Sequence, residues 1–214
     1  ILVQDDQPSF YIYKLSKDSK TQYGVIASVD INLRSKKYIL PHEKTFTIKE
    51  NAILKNIQAT KTQVGPVYLT YENKNNLKKI FQKYTRIKPE YFFTSSGETK
   101  HSLWIVNKQR DIKFISSQLS QIKKLYIADG HHRFAAISKL FNKTKMKNKN
   151  IKSVPLLTAL FDQASVKILS YNRLIKLKKN NSREVLGAIK NNFNDLKLSN
   201  CLLYTSDAAD DTSG

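Results

Sequence analysis

The hydrophobic and polar positions of this chain alternate between the periods of strands and helices. Aromatic and β-branched runs at 10–15 and 22–30, separated by the polar stretch 16–21, predict a β-hairpin. Apolar runs predict further strands at 67–71, 101–106, 125–128, 154–161 and 166–171, the last two as a closing hairpin. Apolar residues recur at helical spacing in three groups: Ile53, Leu54 and Ile57; Leu77, Ile80, Phe81 and Tyr84; Ile112, Ile115, Leu119 and Ile122.

The chain also carries signals for where helices begin and end. Thr47 and Glu50 have the spacing of a capping box, which predicts a helix running to about Thr62. A helix with Phe134, Ile137 and Leu140 inward is predicted after the strand at 125–128, followed by a Lys/Asn-rich loop at 143–152 and a last helix from Ser182. Strands and helices interleave without internal repeats, which predicts a single mixed α/β domain.

Composition and charge narrow the class of protein. With 40% apolar residues in 214, the chain can bury a core, and no apolar run approaches the roughly 18 residues of a membrane span. We therefore expect a cytoplasmic protein without a membrane partner. The formal net charge is +20, but 31 of the 37 basic residues are Lys, whereas nucleic-acid recognition favours Arg. Lys, Asn and Ile share A/T-rich codons, so we interpret the charge as a solvated lysine coat and do not expect a nucleic-acid partner.

Both ends of the chain predict a truncated protein. The string from Cys201 to Asp211 is what one frame of a transposase sequencing adapter encodes, so we expect residues 201–214 to be a non-native tail. The chain opens Ile1-Leu-Val without an initiator methionine. We expect residues 1–200 to be the core of a longer protein that is truncated on both sides.

The densest chemistry follows the strand at 125–128. Asp129, Gly130, His131, His132 and Arg133 form a turn and the start of a helix, a layout that presents backbone N–H groups to an anion. The glycine allows close approach of a phosphate, the two histidines and the arginine add donors, and the aspartate is free to hold a metal, a substrate hydroxyl or an amine. A structural helix cap is the alternative. A zinc site is disfavoured, because adjacent helical histidines point about 100° apart.

Two further segments add candidate residues. Glu43 lies on the loop Leu40-Pro-His-Glu-Lys-Thr45 and is a candidate general base that His42 and Lys44 can assist, although many loop carboxylates are merely solvated. Asn172 and Arg173 follow the last predicted strand and are candidate anion ligands, with a surface ion pair as the alternative for the arginine.

Six strings together resemble the bacterial and archaeal domain-of-unknown-function 1015 family, in collinear order over about residues 8–195. They are Phe10-Tyr-Ile-Tyr13, Lys20-Thr-Gln-Tyr-Gly24, His42-Glu-Lys-Thr45, Leu103-Trp-Ile-Val106, Leu125-Tyr-Ile-Ala-Asp-Gly-His-His-Arg133 and Tyr171-Asn-Arg173. The Asp-Gly-His-His-Arg segment also resembles the Gly-His-x-Arg element of ParB/sulfiredoxin-like proteins, in which a strand, turn and helix bind nucleotide phosphates. Relatives of that group include kinases of free serine that use a Glu base from a separate loop.

The resemblance implies two functions. The first is a phosphotransferase acting on a small-molecule hydroxyl such as that of serine, using ATP or another nucleotide with Mg²⁺. Residues 130–133 would then hold phosphates, Asp129 would orient substrate or metal, and Glu43 would accept the hydroxyl proton. The alternative is a ParB-like nucleotide switch or nucleic-acid-binding module without catalysis. The sequence shows no helix-turn-helix or RNA-binding signature in support of nucleic acid, and it leaves the oligomeric state open.

Overall fold

The computed structural model describes residues 4–32, 38–72, 76–167 and 182–192. The chain forms two compact units, residues 1–166 and 167–214. Within the described residues, the first unit holds an eight-stranded sheet, four α-helices and one short 3-10 helix (Gln163–Ser165), and the second holds one α-helix, α5 (Ser182–Asn192). The predicted mixed α/β class is confirmed. The predicted start of a non-native tail at residue 201 lies outside the described residues.

The sheet is mixed, and its strands do not follow chain order. In chain order the strands are β1 (Phe10–Lys17), β2 (Lys20–Asp30), β3 (Ile39–Leu40), β4 (Val67–Tyr71), β5 (Tyr91–Thr94), β6 (Lys100–Val106), β7 (Leu125–Asp129) and β8 (Pro155–Asp162). Across the sheet the order is β3-β7-β4-β8-β2-β1-β6-β5. The β3/β7 and β4/β8 pairs are parallel, and the other neighbours are antiparallel.

One face of the sheet carries the main core. Register partners on neighbouring strands lie on the same face of a sheet. Six such partners form a buried row across six strands: Trp104, Ile12, Val25, Leu160, Leu69 and Ile127. The helices α1 (Thr47–Thr60), α2 (Leu77–Tyr84), α3 (Gln109–Leu119) and α4 (His131–Lys147) add apolar side chains to the same cluster. The predicted apolar faces of α2 and α3 are therefore the faces that pack.

The pairing of β3 with β7 positions the candidate site. Leu40 and Tyr126 are register partners in parallel strands, so the carboxyl ends of β3 and β7 meet at one edge of the sheet. The loop 41–46 leaves β3 at that edge and leads into α1, and Gly130 leaves β7 there and leads into α4. Two segments far apart in the sequence are thereby brought together.

Several local predictions were wrong. Thr47 is the first residue of α1 and Phe46 is its N-cap residue, without a side-chain cap, so no capping box forms. The Lys/Asn-rich stretch from Lys143 continues α4 to Lys147, because its lysines are solvated on a helix that is already packed. The edge strand β5 was not predicted at all. The strand β8 lies between β2 and β4 instead of in a closing hairpin, and most of its predicted partner, 166–171, lies outside the described residues.

Candidate functional site

The first turn of α4 has the geometry of an anion-binding helix start. Gly130 is the N-cap residue with a φ of +94°, a conformation that residues with a Cβ rarely adopt. A Cβ at this position would lie 3.0 Å from Nη2 of Arg133. The N–H groups of the first turn have no intrahelical acceptors, and the helix dipole places partial positive charge beside them. This turn therefore offers donors to an anion.

His131 is buried between this turn and the loop 41–46, with 4% of its surface exposed. Its Nε2 accepts the backbone N–H of His42 at 3.4 Å, and its Nδ1 lies 3.5 Å from Oε2 of Glu43. The ring of His42 packs edge-on against it, with centroids 4.5 Å apart. An accepting Nε2 leaves the ring proton on Nδ1, facing the Glu43 carboxylate. Burial, and next the proximity of His42, lower the pKa of His131, which favours this neutral form.

His132 contacts the other end of the same loop. Its Nε2 accepts the backbone N–H of Phe46 at 3.2 Å, and the Phe46 ring stacks on the imidazole with centroids 6.0 Å apart. The two histidines thus hold the loop at both ends through acceptor nitrogens. The Nδ1 of His131 faces Glu43, so a phosphate would meet only the Nδ1 of His132. The predicted role of the two histidines as phosphate donors stays a prediction.

Arg133 lies on a different side of the turn from His131. Its Nη2 donates to Oδ2 of Asp129 at 2.7 Å, which ties the helix to the end of β7. The Asp129 side chain is 78% exposed, so its other carboxylate oxygen is accessible. Because consecutive helical residues point about 100° apart, residues 131–133 cannot all face one ligand with their side chains.

A pocket of about 440 Å³ adjoins His131 and Glu43, and we call it the loop pocket. Glu50, Ser138 and Lys139 also line it. The buried Glu50 carboxylate accepts the Thr45 hydroxyl and pairs with the Lys139 ammonium. The hydrogen bond from Lys139 lowers the pKa of Glu50, so this carboxylate stays ionised. The loop pocket therefore combines an exposed carboxylate, a neutral imidazole and a buried ion pair.

Glu50, Ser138 and Lys139 were not predicted as site residues. Glu50 was interpreted as a capping residue. A signal was nevertheless present, since positions 135, 138 and 139 follow His131 at the spacing of one helical face. Asn172 and Arg173 lie outside the described residues. Among the described residues there is no group of three or more His, Cys, Asp and Glu side chains that could hold a metal ion. None of the described helices has the length and apolar character of a membrane span.

Comparison with known proteins matches the chain to a family. The family model described as "Protein of unknown function (DUF1015)" matches residues 1–210. No curated protein and no solved structure matches the chain significantly.

Proposed function

The chain belongs to the family of proteins of unknown function DUF1015, and within that family we propose that it is a phosphotransferase that uses a nucleotide with Mg²⁺ to phosphorylate a hydroxyl of a small molecule such as free serine. The observation that carries the proposal is the 3.5 Å approach of Glu43 to His131 in the first turn of α4. A carboxylate loop and an anion-binding helix start thus share one edge of the sheet. Phosphoryl transfer requires mainly this kind of positioning and charge stabilisation.

Each residue has a chemical role in the proposal. The first-turn N–H groups after Gly130 and the guanidinium of Arg133 bind phosphate oxygens. Glu43, whose side chain is 58% exposed, accepts the proton of the attacking hydroxyl at a carboxylate oxygen, and the Nδ1–H of His131 orients that carboxylate. His42 packs against the imidazole and fixes its position.

The donor set at the turn is compatible with a magnesium nucleotide. Mg²⁺ in such sites takes one or two protein carboxylates and completes its shell with phosphates and water. Asp129 supplies one accessible carboxylate at the end of β7. When bound, Mg²⁺ would neutralise phosphate charge. Asp129 would serve a substrate amine or hydroxyl equally well.

Nucleotide turnover tests the proposal. The full chain is incubated with Mg²⁺, ATP or ADP, and free serine, and we expect phosphorylated acceptor to form. Glu43→Gln should lower kcat by about 10²–10⁴-fold while nucleotide binding persists. The matched control is Glu98→Gln, in the exposed turn between β5 and β6 at the opposite edge of the sheet from β3. This substitution should leave kcat unchanged. Nucleotide binding without turnover of any acceptor would favour the switch-module alternative, and the absence of both would overturn the proposal.

A further inference from the structure

A second pocket lies on the Arg133 side of the α4 first turn, and we call it the Gly65 pocket. Its volume is about 430 Å³, within the range of small-molecule sites. It is formed by α1, the segment 62–67 and α4, and none of the described residues lines both this pocket and the loop pocket. The first turn of α4 therefore separates two pockets, one beside His131 and Glu43 and one beside Arg133.

The charge at the Gly65 pocket favours an anionic group. Among the described residues that line it, Arg133 is the only ionisable one. One guanidinium nitrogen, Nη2, is paired with Asp129, but Nε is buried and has no hydrogen-bond partner among the described residues. Protein atoms enclose Nε, but the Arg133 side chain is 33% exposed, so its accessible N–H groups can donate to an anionic oxygen in the pocket.

The walls of the pocket favour a largely apolar body. Ile57, Val67 and Ile137 line its inner side, and Val64 is 83% exposed at its rim. Such an exposed apolar residue gains from being covered by a ligand.

Two carboxamides line the pocket, and among the described residues only one of them has no hydrogen-bond partner. The Gln63 carboxamide is occupied by the backbone oxygen of Pro155 at 2.6 Å and the N–H of Leu157 at 2.9 Å. The Asn56 carboxamide has no hydrogen-bond partner among the described residues. An amide group can donate and accept at once, which matches the edge of a nucleobase.

We propose that the Gly65 pocket holds the nucleoside of the nucleotide. The base lies between Ile57, Val64 and Ile137 with its edge at Asn56, and the phosphates pass Arg133 to the α4 first turn. This inference rests on the proposed function, because it takes the phosphates to bind at that turn. The loop pocket, on the other side of the turn, is left for the hydroxyl acceptor.

Calorimetric titration distinguishes binding of the nucleoside from binding of the phosphates. ATP and inorganic tripolyphosphate, each with Mg²⁺, are titrated into the full chain and into Asn56→Trp, which fills the pocket from an exposed helix position. We expect the affinity for ATP to fall about tenfold or more and that for tripolyphosphate to stay within about twofold. Gln58→Trp, an exposed neighbour on α1 that does not line the pocket, should leave both affinities unchanged. Val64→Trp at the rim is a second blocking variant, and circular dichroism verifies that each variant is folded.

The outcomes distinguish this inference from the function on which it rests. Unchanged ATP affinity in both blocking variants would overturn the nucleoside assignment and leave nucleotide binding intact. An equal loss for ATP and tripolyphosphate would also overturn it, since the pocket would then act on the phosphates. If the unsubstituted chain bound neither compound, the proposed function and this inference would both fail.

Discussion

Replacing Lys139 by methionine tests the buried ion pair of the loop pocket. The Glu50 side chain is 8% exposed and Lys139 is 36% exposed. The substitution keeps most of the apolar stem of the side chain and removes the ammonium. Glu50 is then left as a buried carboxylate whose remaining side-chain partner is the Thr45 hydroxyl.

The expected cost follows from the burial of the two partners. Breaking a fully buried pair by removing one partner costs about 3–5 kcal/mol. Because Lys139 is about one-third exposed and Thr45 remains, we expect a smaller loss, about 1–3 kcal/mol of unfolding free energy at pH 7. A further change of Glu50 to glutamine removes the stranded charge while retaining an acceptor for Thr45. The double variant should therefore regain about 1 kcal/mol relative to Lys139→Met.

Urea unfolding at several pH values measures these effects. The pKa of Glu50 is lowered in the folded state, chiefly by the hydrogen bond from Lys139. The stability that the pair contributes is thus fully present above the ordinary carboxyl pKa and is lost as the pH falls through the lowered one. The difference in unfolding free energy between the unsubstituted chain and Lys139→Met should therefore shrink in acid.

The control is Lys143→Met, at an exposed position one turn further along α4. Its unfolding free energy should stay within about 0.5 kcal/mol of that of the unsubstituted chain. A Lys139→Met chain as stable as the original, or a double variant no more stable than the single one, would refute the argument.

Two further substitutions probe other parts of the fold. Gly130→Ala should lower the unfolding free energy by about 1–2 kcal/mol, since φ is +94° and the new Cβ would crowd Arg133; unchanged stability in urea would contradict this. His101 Nδ1 and the Tyr13 hydroxyl are hydrogen-bonded at 2.6 Å, the imidazole stacks on Phe93, and burial lowers the pKa of His101. The unfolded chain then binds the proton more readily, so stability falls as the pH drops below about 6.5. His101→Phe should show a weaker dependence between pH 6.5 and 5, and an unaltered pH profile would be the contrary result.

The sequence predicted those elements whose periodicity reflects burial on one face. The strand β4 and the helix α2 have such patterns, because β4 buries alternate residues and α2 buries one helical stripe. The hairpin of β1 and β2 was predicted from its aromatic and β-branched runs and the polar stretch between them. The strand β5 could not be found in this way: its four residues are all exposed, so no pattern of burial marks it. Its pairing with β6 depends on backbone hydrogen bonds, which carry no hydrophobic signal.

The sequence predicted the two segments of the candidate site, but it did not predict that they lie side by side in the fold. His42 and His131 stood out as scarce residue types beside a turn and a loop, yet nothing local indicates that their rings meet at 4.5 Å. That approach depends on the parallel register of β3 with β7. The strand β3 has only two residues, too few to show an alternation of apolar and polar positions. Glu50 was misinterpreted for a related reason: the spacing of a capping box is local, whereas its partner Lys139 lies on another helix.

The angular spacing of a helix explains why one short motif is suited to two pockets. His131 and Arg133 are two positions apart, so their side chains point in very different directions from one turn. His131 and His132 are engaged in holding the loop that carries Glu43, and Arg133 faces the Gly65 pocket. The backbone N–H groups of the turn lie between these side chains and point along the helix axis. A phosphoryl group bound at those N–H groups would then lie between a nucleoside on one side and an acceptor on the other, which is the arrangement that in-line transfer requires.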